Sequence, residues 1–345
     1  MRYGYWMPVF GGWLRNVENE NMEATWEYTK KLAIRSEELG FDLSLIAELN
    51  LNDIKGVDAP SMDAWSTAAA LAAVTNTLEL MVAVRPNFHN PALFAKQAAN
   101  IDHISKGRLS LNVVSSWWLD EAKKYGVNFE QHDNRYARTT EWLDVLTTLW
   151  DKDHFNYDGN FYKLEDAVLQ PKTYSSKRPV IYAGGESPAA KEMISRQCDA
   201  YVTHGDSPDR VKIKIDDMKE RRDRLGLPPM QFGVAGYTII RETENEVKDE
   251  IKRITNVNGS AAGYDNYQQW LAGTQLDQQV SLEDYSVSNR GLRSGLTGTA
   301  EQVQERIYEF EKAGVNLLLL QCSPQLEEME IFSTAIIKPE VIASY

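Results

Sequence analysis

Short apolar runs alternate with amphipathic stretches along almost the whole chain. Arg2–Val9 reads as a first strand, turned by Gly11 and Gly12. Glu23–Leu39 puts Leu32, Ser36 and Leu39 on one helical face, and Gly40 stands where a left-handed C-cap belongs. Leu43–Ala47, Leu78–Val84 and Leu109–Val114 read as the next strands. Between them lie an Ala-rich helix over Asp63–Val74 and a helix over Pro91–Ser105, opened by its proline and closed by Gly107. A further helix ends over Trp142–Trp150. Val180–Ala183, Ala200–Thr203, Gln231–Arg241 and Asn316–Gln321 are the remaining strands. Helices follow Ser187 and cover Pro208–Leu225, Ala300–Ala313 and Leu326–Thr334. Strands alternating with helices build a parallel sheet. Eight such units predict a (β/α)8 TIM barrel with insertions at its C-terminal face, although a doubly wound open sheet shares the pattern.

Two segments break the alternation. Asn156–Thr173 reads as a hairpin-type excursion. Asn256–Arg293 is polar, rich in Gln, Asn and Gly, and weakly periodic. A loop of that length inside a compact domain is usually functional or mobile. The expectation is one barrel domain over residues 1–345, with a mobile insertion at about 256–293.

Composition narrows the function classes. The 345 residues carry 37 Lys+Arg against 50 Asp+Glu, a net charge of −13, with no long basic run. That balance disfavours nucleic acid and anionic membranes as partners. The longest aliphatic stretch, Leu317–Leu320, is far short of a membrane span. No signal-peptide apolar region is evident near Met1, which points to a cytoplasmic location. Cys198 and Cys322 are too few for a zinc cage or a disulfide framework. His89, His103, His132, His154 and His204 are scattered, and no metal is expected. The glycine fingerprint of nicotinamide sites, the P-loop and the nucleophile elbow are missing. Asn258 opens a formal glycosylation sequon, without meaning in a cytoplasmic chain.

Chemistry in such barrels sits on loops after the strands. Tyr182–Ser187 ends a strand with Gly184 and Gly185 and opens a helix capped by Ser187, a turn that suits a phosphate as well as ordinary capping. Asn112, Ser115 and Ser116 precede Trp117 and Trp118, which suits a flat aromatic ligand or a filled barrel rim. Arg135 and Tyr136 offer charged and phenolic hydrogen bonds, or simple capping. Ser288, Asn289, Arg290 and Arg293 read as an anion clamp on a lid or as a solvated linker. Together these loops point to a flat, phosphorylated cofactor, and FMN fits better than a sugar phosphate.

The order of these residues resembles the luciferase-like flavin monooxygenases. The resemblance rests on Ala95, Gln97, Ala99 and Asp102 on one helix, then Ser105, Gly107, Arg108 and Asn112. Arg135, Tyr136, the turn at Ser187 and the segment Gln321–Glu328 follow in order, so essentially the whole chain is covered. It is nearest the branch holding dimethylsulfone and alkanesulfonate monooxygenases and a pyrimidine-ring-opening enzyme. The resemblance implies reduced FMN supplied by a separate NAD(P)H:FMN reductase, O2 as oxidant and a small organosulfur substrate cleaved at a C–S bond. It places Asn112, Glu121, Arg135, Tyr136 and Ser187 on FMN, Gly185 at the phosphate, and Ala47, Glu48 and Ser115 near the ring. Arg290, and with it Arg293, would match a lid arginine over the substrate. It also implies a homo-oligomer, a dimer or tetramer, whose Ala-rich helices pack across a two-fold.

The departures bear on the substrate. Ala235 and Tyr237 stand where the sulfonate enzymes carry Arg and His. Ser61, His204, Ser323 and Gln325 replace a Cys, a Trp, a Tyr and a His, and Ser116 replaces a Gly. Lost cations disfavour a sulfonate and favour a neutral dialkyl sulfone. Arg85, Arg290 and Arg293 keep the sulfonate reading open. Phe10, Trp13, Trp65, Phe88, Trp117 and Trp118 are expected as dry walls, or as core. His204 and Tyr237 are the candidate acid–base groups, with Glu48 as the other. A deazaflavin-dependent oxidoreductase and a non-catalytic flavin-binding protein are the alternatives on the same barrel.

Overall fold

The computed structural model describes residues 1–257, 261–287 and 290–338. The sequon residues 258–260 and the Ser288 and Asn289 part of the clamp motif lie outside them.

Eight parallel strands close into a barrel. They are β1 (Arg2–Met7), β2 (Leu43–Ile46), β3 (Glu79–Val84), β4 (Leu109–Val113), β5 (Val180–Ala183), β6 (Ala200–Thr203), β7 (Gln231–Tyr237) and β8 (Leu317–Gln321). Their order around the barrel is the chain order, with β8 closing on β1. The helices outside are α1 (Trp26–Leu39), α2 (Ala64–Val74), α3 (Pro91–Ser105), α4 (His132–Asp151), α5 (Pro188–Gln197), α6 (Pro208–Arg224), α7 (Ala300–Ala313) and α8 (Gln325–Phe332). The TIM-barrel expectation is met, and the open sheet is not.

Period-two alternation divides each strand between two cores. Leu43, Leu45, Met81, Tyr182, Ala200, Leu317 and Leu319 fill the barrel interior. The opposite faces, among them Tyr5, Val82, Leu111, Ile181, Val234 and Leu318, pack against the helices. Gly4 is required by this packing, because a Cβ there would lie 2.7 Å from Leu43 Cγ and 3.0 Å from Leu319 Cδ2. Helix ends follow the local signals. Gly40 caps α1 at φ 92°, and the Ser187 hydroxyl caps α5 by accepting from Ala190 N–H at 3.2 Å.

Two segments differ from the sequence reading, and a third, the hairpin-type excursion, matches it. The stretch Gln231–Arg241 is two strands: β7 ends at Tyr237, and Ile239–Ile240 pairs with Thr297–Gly298 outside the barrel. The excursion at 156–173 contains an antiparallel pair, Phe155–Asp158 with Lys163–Ala167. The insertion carries helices at Tyr267–Gly273 and Leu282–Ser286 and its own cluster of Tyr264, Trp270, Val280 and Tyr285. Among the described residues no helix is long and apolar enough to cross a membrane.

Candidate active site

The strands' C-terminal ends open into a cavity of about 300 Å³, covered on one side by Trp270, Gly273 and Leu276 of the insertion. That volume is at the lower end of small-molecule sites, ~300–1,000 Å³. Its floor is the last inward rung of the barrel: Trp6, Leu45, Ala83, Asn112, Val202, Ala235 and Gln321. The walls are mostly apolar, with Phe10 and Trp13 after β1 and Trp117 after β4.

An anion cradle stands after β5. A Cβ on Gly184 would lie 2.6 Å from Val202 O. One on Gly185 would lie 2.6 Å from Ala190 Cβ and 3.3 Å from the Tyr136 phenol oxygen. The backbone is therefore bare at the N-terminus of α5, where Pro188 has no N–H, the Ala190 N–H is capped by Ser187, and the Ala189 N–H and the positive end of the helix dipole remain. Tyr136 reaches the same turn from α4; burial raises its pKa, while Ser187 and Arg135 pull it down. Arg135 is buried and makes no ion pair among the described residues. Its guanidinium donates only to the carbonyls of Ser115 (3.1 Å), Glu130 (3.0 Å) and Gly273 (3.1 Å). Burial lowers its pKa, against the pull of Tyr136 and Glu130. An uncompensated guanidinium beside a glycine turn and a helix N-terminus fits a phosphate tail.

The other cations at the cavity are neutralised. Arg15 pairs with Asp53 at 2.7 Å, donates to Tyr285 O and Gly263 O, and lies over the Tyr285 ring. Arg85 forms a two-point pair with Glu121, its second contact being 3.0 Å, and lies over Phe88. Glu48 accepts from Arg85 N–H at 2.7 Å and meets His89 Nε2 at 2.5 Å. Ser115 Oγ meets Thr139 Oγ1 at 2.9 Å, and the buried Ser116 hydroxyl has no partner among the described residues.

His204 ends β6 on the cavity wall and makes no hydrogen bond among the described residues. Its pKa falls from 6.5 to about 4, first by desolvation, then by Arg290 and Lys214, against the pull of Glu186. The imidazole is therefore neutral at pH 7. Behind it Glu186 accepts from Lys214 at 2.7 Å and Arg290 at 2.9 Å. Despite burial, His204 where it is protonated, and Arg290 and Lys214 throughout, hold its carboxyl well below the usual range. Asp277 of the insertion meets Arg290 at 3.3 Å and Lys214 at 3.2 Å.

The predicted residues divide by place. Ala47, Glu48, Asn112, Ser115, Arg135, Tyr136, Gly185, Ser187, His204, Phe10 and Trp117 line one cavity. Four do not. Glu121 lies behind the wall, its oxygens taken by Arg85 and by Asn50 N–H at 2.5 Å. Tyr237 shares the parity of Ala235, but β7 ends there and its phenol is buried in the core without a partner among the described residues. Burial raises that phenol's pKa well above its ordinary value, and Cys322 and nearby carboxylates add to it. Arg290 is fully buried in its pairs with Glu186 and Asp277, and Arg293 is held by Asp284 at 2.6 Å. Of the expected walls, Trp65 packs on Phe94, Phe88 lies under Arg85, and Trp118 is stacked beneath Trp117. The sequence reading missed Trp6, Gln321, Arg15, Asp53 and Glu186. For Trp6 and Gln321 strand parity was the available signal, whereas the ion pairs join distant positions that no local pattern links.

Fold and site together define a parallel barrel with an anion cradle at its mouth, beside a small pocket whose other arginines are ion-paired among the described residues. The chain belongs to the luciferase-like monooxygenase family, whose profile matches residues 1–317. It is 32% identical to an FMNH2-dependent dimethylsulfone monooxygenase of Pseudomonas putida, over 98% of this chain and 94% of that one. A protein of the same name from Pseudomonas fluorescens (strain Pf0-1) is 30% identical over 98% and 93% of the two chains. The crystal structure of a long-chain alkane monooxygenase superposes with a TM-score of 0.82 at 19% identity, covering 96% of this chain and 89% of that one. The names of the two curated relatives lend no support to the deazaflavin or non-catalytic alternatives.

Proposed function

We propose that the chain is a reduced-FMN-dependent monooxygenase that uses O2 to cleave a C–S bond in a small, uncharged organosulfur compound of the dimethylsulfone type. One observation carries the substrate class: Arg135 is the only arginine on the cavity wall without a carboxylate partner among the described residues, and it stands at the phosphate cradle. Arg85, Arg290 and Arg293, the cations that would serve a sulfonate, are all ion-paired. An anionic substrate would have to break one of those pairs or remain uncompensated, and either is costly.

Arg135, Tyr136, Ser187 and the Gly184–Gly185 backbone would hold the phosphate, and Asn112, Ser115, Ala47 and Glu48 would border the ring. Bound reduced FMN would supply the electrons that activate O2. The chain's part is to exclude water with Phe10, Trp13, Trp117 and Trp270 and to present neutral His204 as a hydrogen-bond partner beside the reacting atoms. For dimethylsulfone the balance is one sulfone, one O2 and one FMNH2 giving methanesulfinic acid, formaldehyde, water and FMN.

A separate NAD(P)H:FMN reductase would supply the flavin. A single-domain chain and a homo-oligomer, dimer or tetramer, complete the reading. The test supplies reductase, NADH and FMN under air with dimethylsulfone, methanesulfonate or octanesulfonate. Formaldehyde and methanesulfinate from the sulfone alone are expected. Sulfite from either sulfonate, with the sulfone untouched, would overturn the substrate class. Light scattering after gel filtration tests the assembly.

A further inference from the structure

The cradle for the phosphate stands on β5, and Asn112 stands on β4. Directly across the closed barrel lie β8 and β1. The wall there carries a polar group with no task inside the protein. Gln321, last residue of β8, is 6% exposed, lines the cavity, and its carboxamide makes no hydrogen bond among the described residues. Register sets its direction: Leu317 and Leu319 fill the barrel interior, so Gln321 is the next inward position. Across β1 the pairs Gly4–Leu319 and Tyr5–Leu320 put Trp6 on the rung of Gln321. The Trp6 indole N–H is also buried without a partner among the described residues. Trp6 meets Trp13 edge to face, with ring centroids 6.3 Å apart.

Buried amides and indole N–H groups are almost always paired. Two unpaired donors on neighbouring strands at one level of a cavity form a recognition site for an acceptor that the protein does not itself provide. Neither donor is charged. Ala235 on the adjoining β7 and Val202 on the next strand, β6, add no charge. The site thus suits an oxygen that is strongly polar but uncharged.

We propose that Gln321, supported by Trp6, is the specificity residue that binds the sulfonyl oxygen of the substrate and distinguishes a sulfone from the corresponding sulfide. The inference rests on the organosulfur reading above. It adds the residues that recognise the oxygen and the wall on which the substrate sits, opposite the cofactor's anchor. Replacing the carboxamide by an apolar group of similar size removes the donor and keeps the volume.

The experiment is ligand-observed NMR on the FMN-loaded protein under anaerobic, reduced conditions. Dimethylsulfone and dimethyl sulfide are the probes, since both report through methyl signals and only one has oxygens. The proteins are wild type, Gln321→Leu and Trp6→Phe, each checked for an unchanged melting profile and unchanged FMN affinity. Wild type is expected to prefer the sulfone. Gln321→Leu is expected to weaken sulfone binding about 10- to 100-fold and leave sulfide binding within about threefold. Trp6→Phe, which keeps a ring and removes the N–H, is expected to lose less but in the same direction. If wild type binds the sulfone and both variants bind it equally well, the assignment of Gln321 falls and the organosulfur reading stands. If wild type binds FMN but not the sulfone, both fall together. Should Gln321→Leu fail to fold, Trp6→Phe alone decides, because an unaltered sulfone preference there contradicts a shared donor site.

Discussion

Arg135 carries the charge left over at this site, and that makes its removal informative. Its three hydrogen bonds go to backbone carbonyls, so its charge remains available to a ligand. A hydrogen bond to a charged group contributes about 1.5–3 kcal/mol. Arg135→Gln is expected to weaken FMN binding by about 10- to 100-fold in a flavin fluorescence titration, and an unchanged affinity would remove Arg135 from the cofactor site. His204 makes a prediction about pH. Its folded pKa is about 4 against an ordinary 6.5, so the unfolded chain binds the extra proton first. Stability from this group is full above 6.5 and is lost as pH falls from 6.5 towards 4. Urea unfolding of wild type should show that loss, and His204→Gln should flatten it; parallel curves would contradict the assignment. Ser116 sits at φ 54°, in the left-handed region that disfavours a side chain. Ser116→Gly is expected to stabilise the fold by roughly 0.5–1 kcal/mol in the same assay, and destabilisation would show that its hydroxyl has a partner after all.

At the scale of elements, what could be read from the chain depends on how local the cause is. Gly40 and Ser187 mark helix ends because each satisfies backbone groups within a few residues. The eight strands were legible because alternation and burial coincide along each of them. The insertion was not. Its cluster joins Tyr264, Trp270, Val280 and Tyr285, a spacing that matches neither a helical nor a strand period. The ties that seat it on the barrel are more distant still, Arg290 to Glu186 and Arg15 to the carbonyls of Tyr285 and Gly263. Tyr237 shows a different error, since the resemblance made it a site candidate while β7 ends at it and its phenol is buried in the core. Glu186 is the hinge of the seating, because Lys214 of α6 and Arg290 of the insertion share its carboxylate. Breaking a buried pair by removing one partner costs roughly 3–5 kcal/mol. Glu186→Gln is therefore expected to speed proteolytic cleavage between residues 256 and 293 while the rest of the barrel stays resistant. Cleavage at the wild-type rate would mean that other contacts hold the insertion.

The whole molecule separates folding from function in space. The barrel interior and the helical layer form cores that do not include the insertion's cluster. The insertion supplies one face of the cavity through Trp270, Gly273 and Leu276, and Gly273 O binds Arg135. A barrel should therefore form without this cover, but its mouth should be open to water. Reduced flavin in an open site spends its electrons on O2 without oxidising substrate. Replacing residues 256–293 by a short Gly/Ser linker is expected to leave the far-UV circular dichroism of the barrel and its cooperative unfolding in place. FMN affinity should fall, because Arg135 loses one of its carbonyl partners and the cavity loses a wall. With reductase, NADH and dimethylsulfone, O2 uptake should continue while formaldehyde falls and hydrogen peroxide rises in its place. A truncated chain that still coupled O2 uptake to formaldehyde would show that the insertion is not what keeps water out. Loss of cooperative unfolding would show that the barrel and its cover are one folding unit.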